Sequence, residues 1–393
     1  VLVAITVAVS IVLISLYSNS SLTQNSPIAA PQLAKFRSLS TAANGKVEVI
    51  AKLAERPGNI AVTPDGRILM SLHPFGNPKY RVVELLPDQT TRPFPTAQWS
   101  QAPNRNGVGF DAVIGLESDR NGVVWMLDKG GVKGSVPKLV AWNTQQNKLV
   151  RVIQIPEPAF QPNSFMQDLS VDLDHQAIYI ADMSRGDLIG VSNPAIVVVD
   201  LKTGLSRRAL VNHQSLQPER GANFRIDSRA LMVSNGKGGW VQPELGLNPI
   251  TIDPKNEWVY YGAMNSRSLY RVRTTDLLNP SLSPAQVGAK VERYGDKAIS
   301  DGISIDSSGN VYVTDVNANA IGVTTQKGQY RVLYKDDAVL SWADGMSYGS
   351  DGFFYVTVNQ LHRNAALNGG KDTSKPPYLI IRFKPLASGA VGR

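Results

Sequence analysis

The sequence predicts an all-β protein, a six-bladed β-propeller built from four-stranded blades. Three observations predict it. One phrase recurs six times along the 393 residues: a small or acidic residue, an apolar alternation, a turn with Gly or Asn, then a second apolar strand. Behind each copy lie further strand-like runs, giving about four strands per repeat. The last repeat is one strand short, and an unpaired strand precedes the first.

The copies begin at residues 58, 114, 168, 248, 301 and 344. The first is Gly58-Asn59-Ile60-Ala61-Val62, turning at Asp65-Gly66. The second runs from Ile114-Gly115-Leu116 through Asn121-Gly122 to Val123-Val124-Trp125-Met126-Leu127-Asp128, and the third from Asp168 through Asp172 to Ile178-Tyr179-Ile180-Ala181-Asp182. The fourth joins Asn248 through Asp253 to Trp258-Val259-Tyr260-Tyr261. The fifth pairs Asp301-Gly302-Ile303-Ser304-Ile305-Asp306 with Val311-Tyr312-Val313-Thr314-Asp315, and the sixth pairs Asp344-Gly345-Met346 with Phe354 through Asn359. Period-two alternation around a short Gly or Asn turn is the signature of a hairpin. Trp125, Tyr179, Tyr260, Tyr312 and Tyr355 recur at one place in the phrase, which marks them as packing between blades.

Closure follows from the ends. Tyr378–Phe383 gives the sixth repeat a third strand, and the orphan Lys46–Ala51 supplies the fourth, hiding an edge that would otherwise stay open. The interval between the third and fourth copies holds about 25 extra residues, around Arg207 to Trp240. The expected organisation is a signal peptide or anchor over residues 1–30, a linker over 31–45, the propeller over 46–385 and a tail over 386–393.

Val1 to Tyr17 is almost wholly apolar and is followed by polar and small residues, the layout of a secretory h-region. Export, to the periplasm or the medium, is therefore expected, with membrane contact only if this segment stays attached. The chain has no cysteine, so disulfides, iron–sulfur ligation and thiol nucleophiles are excluded. Its 40 basic and 32 acidic side chains leave a net charge of +8. Those cations are scattered, and the densest group, Arg207 to Arg229, is interleaved with Glu219 and Asp227; nucleic acid is not an expected partner. A monomer is expected.

The innermost strand of each blade faces the channel, so Asp168, Asn248, Asp301 and Asp344 are expected at one mouth. Asp128, Asp182, Asp315 and Asn359, at the ends of second strands, should stand just behind, with Asp168 near Asp182 and Asp301 near Asp315. For Asp128, Asp182 and Asp315 a capping role in neighbouring turns is the stronger reading. His73 and His362 each follow a second strand and could reach the same mouth. Carboxylates converging on one point raise each other's pKa unless a cation lies among them. They suit a protonated amine, acid–base work or a calcium-type ion. Asp301 and Asp344 are the candidate catalytic pair; Asp168, Asn248, Asn359 and His73 are the candidate ligand contacts.

Four stretches carry a resemblance to a known family. They are Val124-Trp125-Met126-Leu127-Asp128-Lys129-Gly130, Tyr260 through Val272, Asn317-Ala318-Asn319-Ala320-Ile321, and Leu340-Ser341-Trp342-Ala343-Asp344-Gly345-Met346 with Asn359-Gln360-Leu361. Together they resemble the Yellow and major royal jelly protein family, whose bacterial branch is described as dopachrome-tautomerase-related. The resemblance implies a secreted six-bladed propeller with a small-molecule pocket at the channel mouth. Some relatives are linked to dopachrome isomerisation and others bind biogenic amines; the Asn of the closing motif, here Asn359, is near the ligand in the amine binders. A more distant similarity, to the gluconolactonase and regucalcin propellers, implies a divalent ion such as calcium on the axis. Its ligands would include Asn248 and Asp301, but the Glu expected in the first blade falls at Gly58 or Asn59.

Three functions follow as expectations. The first is a propeller that binds, and in its wider form isomerises, a small aromatic or amine ligand. The second is a metal-dependent lactone hydrolase. The third is a non-catalytic propeller that contacts other proteins through its loops.

Overall fold

The computed structural model describes residues 32–42, 45–130, 135–185, 188–190 and 192–393. The apolar segment expected to direct export lies outside them. Within them the chain forms six antiparallel sheets arranged around an axis, each packing its innermost strand against the next and the sixth against the first. The innermost strands are Pro57–Val62, Val113–Ser118, Met166–Asp172, Leu247–Ile252, Ser300–Ile305 and Ala343–Tyr348, and they are buried almost throughout. The six-bladed propeller is the fold.

The ring closes as the orphan strand requires. Val47–Leu53 pairs antiparallel with Tyr378–Phe383, so the first strand of the propeller completes its last blade. Ser40–Ala42, expected within a linker, adds a fifth strand to that blade by pairing with Val47–Val49. The tail also packs. It bridges Asp306 through Gly389 and Tyr348 through Val391.

A repeated polar clasp fixes four of the six inner hairpins. The second-strand aromatics Trp125, Tyr179, Tyr312 and Tyr355 donate to Asp119, Asp172, Asp306 and Asp351, over 2.7–3.1 Å. Three of these carboxylates also accept backbone N–H groups of their own turn, as Asp119 does from Asn121 and Val123. One side chain thereby shapes the turn and satisfies the buried polar tip of an aromatic between blades. These aromatics do pack in the interior, as their recurrence in the sequence implied.

The long insertion folds into two short hairpins, Arg225–Ile226 with Arg229–Ala230 and Val233–Ser234 with Trp240–Val241. Its apolar residues Ala222, Phe224, Ile226, Leu231, Val233 and Leu245 join one cluster with Trp342, Leu361 and Leu367. The insertion therefore roofs part of one end of the channel.

Candidate functional site

In every blade the register between the two inner strands slips once near the start of the innermost strand. A bulge of this kind turns a side chain away from the regular alternation. The slips fall at Asn59, Ile114-Gly115, Gln167, Asn248, Asp301-Gly302 and Asp344-Gly345. Side chains from five of them, with Asp168, form the polar floor of a cavity of about 590 Å³, counted to its open mouth. Glycine is required beside the acids: a Cβ on Gly302 would stand 2.1 Å from the carbonyl oxygen of Asp344.

Side-chain hydrogen bonds hold the floor together in two groups. Asn248 Nδ2 donates to Asp301 Oδ1 at 2.8 Å and to Gln167 Oε1 at 2.9 Å. Trp342 Nε1 donates to the other Asp301 oxygen at 2.7 Å. Asn359 Nδ2 donates to Asp344 Oδ2 at 2.7 Å, and Asn59 Nδ2 to Asp168 Oδ1 at 2.9 Å. Asp301 and Asp344 hydrogen-bond each other and titrate as a pair. Burial raises both, but Asp301 is held lower by the Trp342 and Asn248 donors, whereas Asp344 is pushed further by its charged neighbours Asp301 and Asp168. The shared proton therefore resides on Asp344 and the charge on Asp301. Burial lifts Asp168 to about 7.

The wall above this floor is apolar: Phe75, Ile114, Phe165, Met264, Trp342 and Leu361 are among its residues. Trp342 is almost fully buried, has a left-handed backbone (φ 56°), and lies between Phe224 and His362 with near-parallel rings at 5.8 and 5.9 Å. A non-glycine residue at positive φ costs conformational energy that the surrounding contacts must offset. Here the offset comes from the two stacked rings and the bond to Asp301.

Asp168, Asn248, Asp301, Asp344 and His73 line the cavity together. His73 is neutral, since burial pulls its imidazole down to about 3. Asn359 stands one layer back: it bonds Asp344, accepts from Leu361 N at 3.0 Å, and its carbonyl receives the Arg56 guanidinium at 2.6 Å. His362 stacks behind Trp342 and borders a separate surface cleft. Asp182 and Asp315 are not beside Asp168 and Asp301, because the bulge offsets each pairing and Met166 and Ser300 lie opposite instead. Asp128 caps the N–H groups of Asp111, Ala112 and Gly130; Asp182 caps Phe165 and Ser184 and pairs with Arg208; Asp315 accepts from Tyr330. Asn59, Gln167 and Trp342 are cavity-lining residues that the repeat pattern did not single out, although Gly58-Asn59 occupies the place of Asp301-Gly302 in the phrase.

The donor chemistry does not suit an axial divalent ion. Asn248 presents its NH₂ group to Asp301, and the reverse orientation would set its oxygen against two acceptors. Both oxygens of Asp301 are occupied by N–H donors, and among the described residues no three His, Cys, Asp or Glu side chains gather as a metal-binding group. Calcium wants six to eight oxygen ligands.

Solved structures share the architecture at low identity. A luciferin-regenerating enzyme matches with TM-score 0.55 and 12% identity over 88% of this chain and 98% of its own. A gluconolactonase from Xanthomonas campestris matches with TM-score 0.52 and 10% identity over 88% and 92%. A calcium-binding regucalcin from Agrobacterium tumefaciens matches with TM-score 0.51 and 13% identity over 88% and 96%. At these identities the likeness is one of fold. No curated protein sequence matches the chain. The family model for the major royal jelly protein matches residues 112–381, from the second inner strand to the last strand of the sixth blade, and the chain belongs to that family.

Proposed function

We propose that the channel mouth binds a small organic cation, an amine on an apolar or aromatic body, and exchanges a proton with it through Asp301 and Asp344. The observation that carries this reading is the hydrogen-bonded pair of buried carboxyls on the floor of an apolar cavity. Burying an unpaired charge is costly, so a floor of three carboxyls is under pressure either to keep protons or to take a cation. An ammonium group over Asp301 and Asp168 relieves that pressure, and the Phe75, Phe165 and Trp342 side chains cover the rest of the ligand.

The two acids are unequal, and that inequality is what acid–base work needs. Ionised Asp301 accepts a proton from one ligand position, and protonated Asp344 returns one to another, with no net change in the pair. This suits an isomerisation of the dopachrome type, which moves a proton without altering oxidation state. Export of the protein forms part of the same proposal.

Titration calorimetry with phenethylamine against phenethyl alcohol tests the reading. The amine should bind at least about tenfold tighter, a difference of about 1.4 kcal/mol, and Asp301→Asn should remove that preference. Equal affinity for the amine and the alcohol would overturn it.

A further inference from the structure

A second, narrower space, about 350 Å³ when counted out to open solvent, lies beneath the floor of the ligand site. Asn59 and Asp168 belong to both, so the two spaces share a partition of side chains. The lower one ends on Glu117 and Arg393, at the opposite side of the wheel. Arg393 arrives there on the tail. Leu386 N donates to Tyr312 Oη, Ser307 N to Ser388 O, and Gly392 N to Tyr348 O, so the tail crosses the fifth and sixth blades on its way to the axis.

The guanidinium of Arg393 then meets three blades at once. It donates to the Val171 carbonyl at 2.9 Å, on the third blade, and to the Asp253 carbonyl at 3.0 Å, beside the fourth. Its Nε stands 3.6 Å from the Glu117 carboxylate of the second. Glu117 is buried and has Asp168 and Asp119 as further acidic neighbours. We propose that this end of the channel is a guanidinium site, which the chain fills with its own Arg393, closing the channel so that the ligand cavity opens on one face only. A planar cation with donors on three sides matches two carbonyls and a carboxylate spread around it, whereas a point-like ammonium cannot reach all three. Gly392 lets the tail come this close: its φ is 96°, and a Cβ there would stand 2.1 Å from the Ser118 carbonyl oxygen.

Chemical rescue tests the assignment without knowledge of the ligand. Arg393→Ala should lower the Tm by about 3–6 °C, since it leaves the Val171 and Asp253 carbonyls without their guanidinium donor. Millimolar methylguanidinium should restore at least half of that loss, while methylammonium or sodium at equal concentration should not, and wild type should respond to none of them. A mutant with the wild-type Tm, or equal rescue by all three cations, overturns the proposal. Arg393→Lys keeps the charge should the alanine variant fail to fold. It should melt below wild type, and a lysine variant as stable as wild type would show that the fork geometry is irrelevant.

Discussion

The indole Nε1–H of Trp342 points at Oδ2 of Asp301 over 2.7 Å, from a side chain held flat between Phe224 and His362. Through this bond one blade sets the protonation of its neighbour. Asp301 accepts from both Trp342 and Asn248, whereas Asp344 accepts from Asn359 and shares a proton with Asp301. The asymmetry of the pair thus comes from neighbouring groups, since both acids occupy the same place in the repeat.

Trp342→Phe keeps the stack and deletes the donor. It should cost about 1–3 kcal/mol of stability, the range for a buried bond to a charged acceptor. It should also raise the apparent pKa of Asp301, which carboxyl-carbon NMR can follow. An unchanged Asp301 titration would show that the indole does not set its charge.

Stability should fall as the solution becomes alkaline. The folded protein holds Asp168 at about 7 and Glu117 at about 8, both above their values in an unfolded chain, so the folded state binds more protons across that interval. Their contribution is complete below about pH 4 and is lost as pH rises through 7 to 8. Asp301 and Asp344 act in the same direction. Melting curves from pH 4 to 9 should therefore show a declining Tm over this window once acid unfolding of other carboxylates is separated, and Asp168→Asn should flatten the decline. A steeper decline in that variant would contradict the assignment.

The six-fold repeat, the closing strand and the four axial residues Asp168, Asn248, Asp301 and Asp344 were legible because strand alternation and ring closure are local rules. What alternation could not show is the slip at the head of each inner strand. A one-residue slip changes which side chain faces the axis, so Asp182 and Asp315 drop away from the acids they were expected to flank, while Gln167 comes in. Trp342 was legible as part of a family motif but not as a donor, because its role depends on a left-handed backbone and on a ring contributed by the insertion. The grip of Arg393 joins residues of three blades, and no pattern along the chain encodes that meeting.

Gly302→Ala should disrupt the floor without touching any polar group. The added methyl would collide with the Asp344 carbonyl, where backbone cannot yield as a side-chain end does. A cost of about 1–3 kcal/mol is expected, as for overpacked interiors, together with loss of phenethylamine binding. Gly76→Ala is the control, because a Cβ there meets nothing within 4 Å. Equal behaviour of the two variants would mean that the inner strands tolerate separation at the site.

Amine binding should gain strength with pH through the carboxyls of the floor, not through histidine. His73 and His362 are held down to about 3 and about 4 by burial, so both rings are neutral above pH 5. Asp168 instead ionises near 7, and each negative charge gained by the floor strengthens the pull on an ammonium group. Phenethylamine affinity should therefore rise between pH 6 and 8 until the amine itself loses its proton. Asp168→Asn should abolish that rise, whereas His73→Gln should leave its midpoint in place even where it weakens binding. A midpoint that moves with His73 and not with Asp168 would assign the titration to the imidazole and remove the carboxyl floor from the binding step.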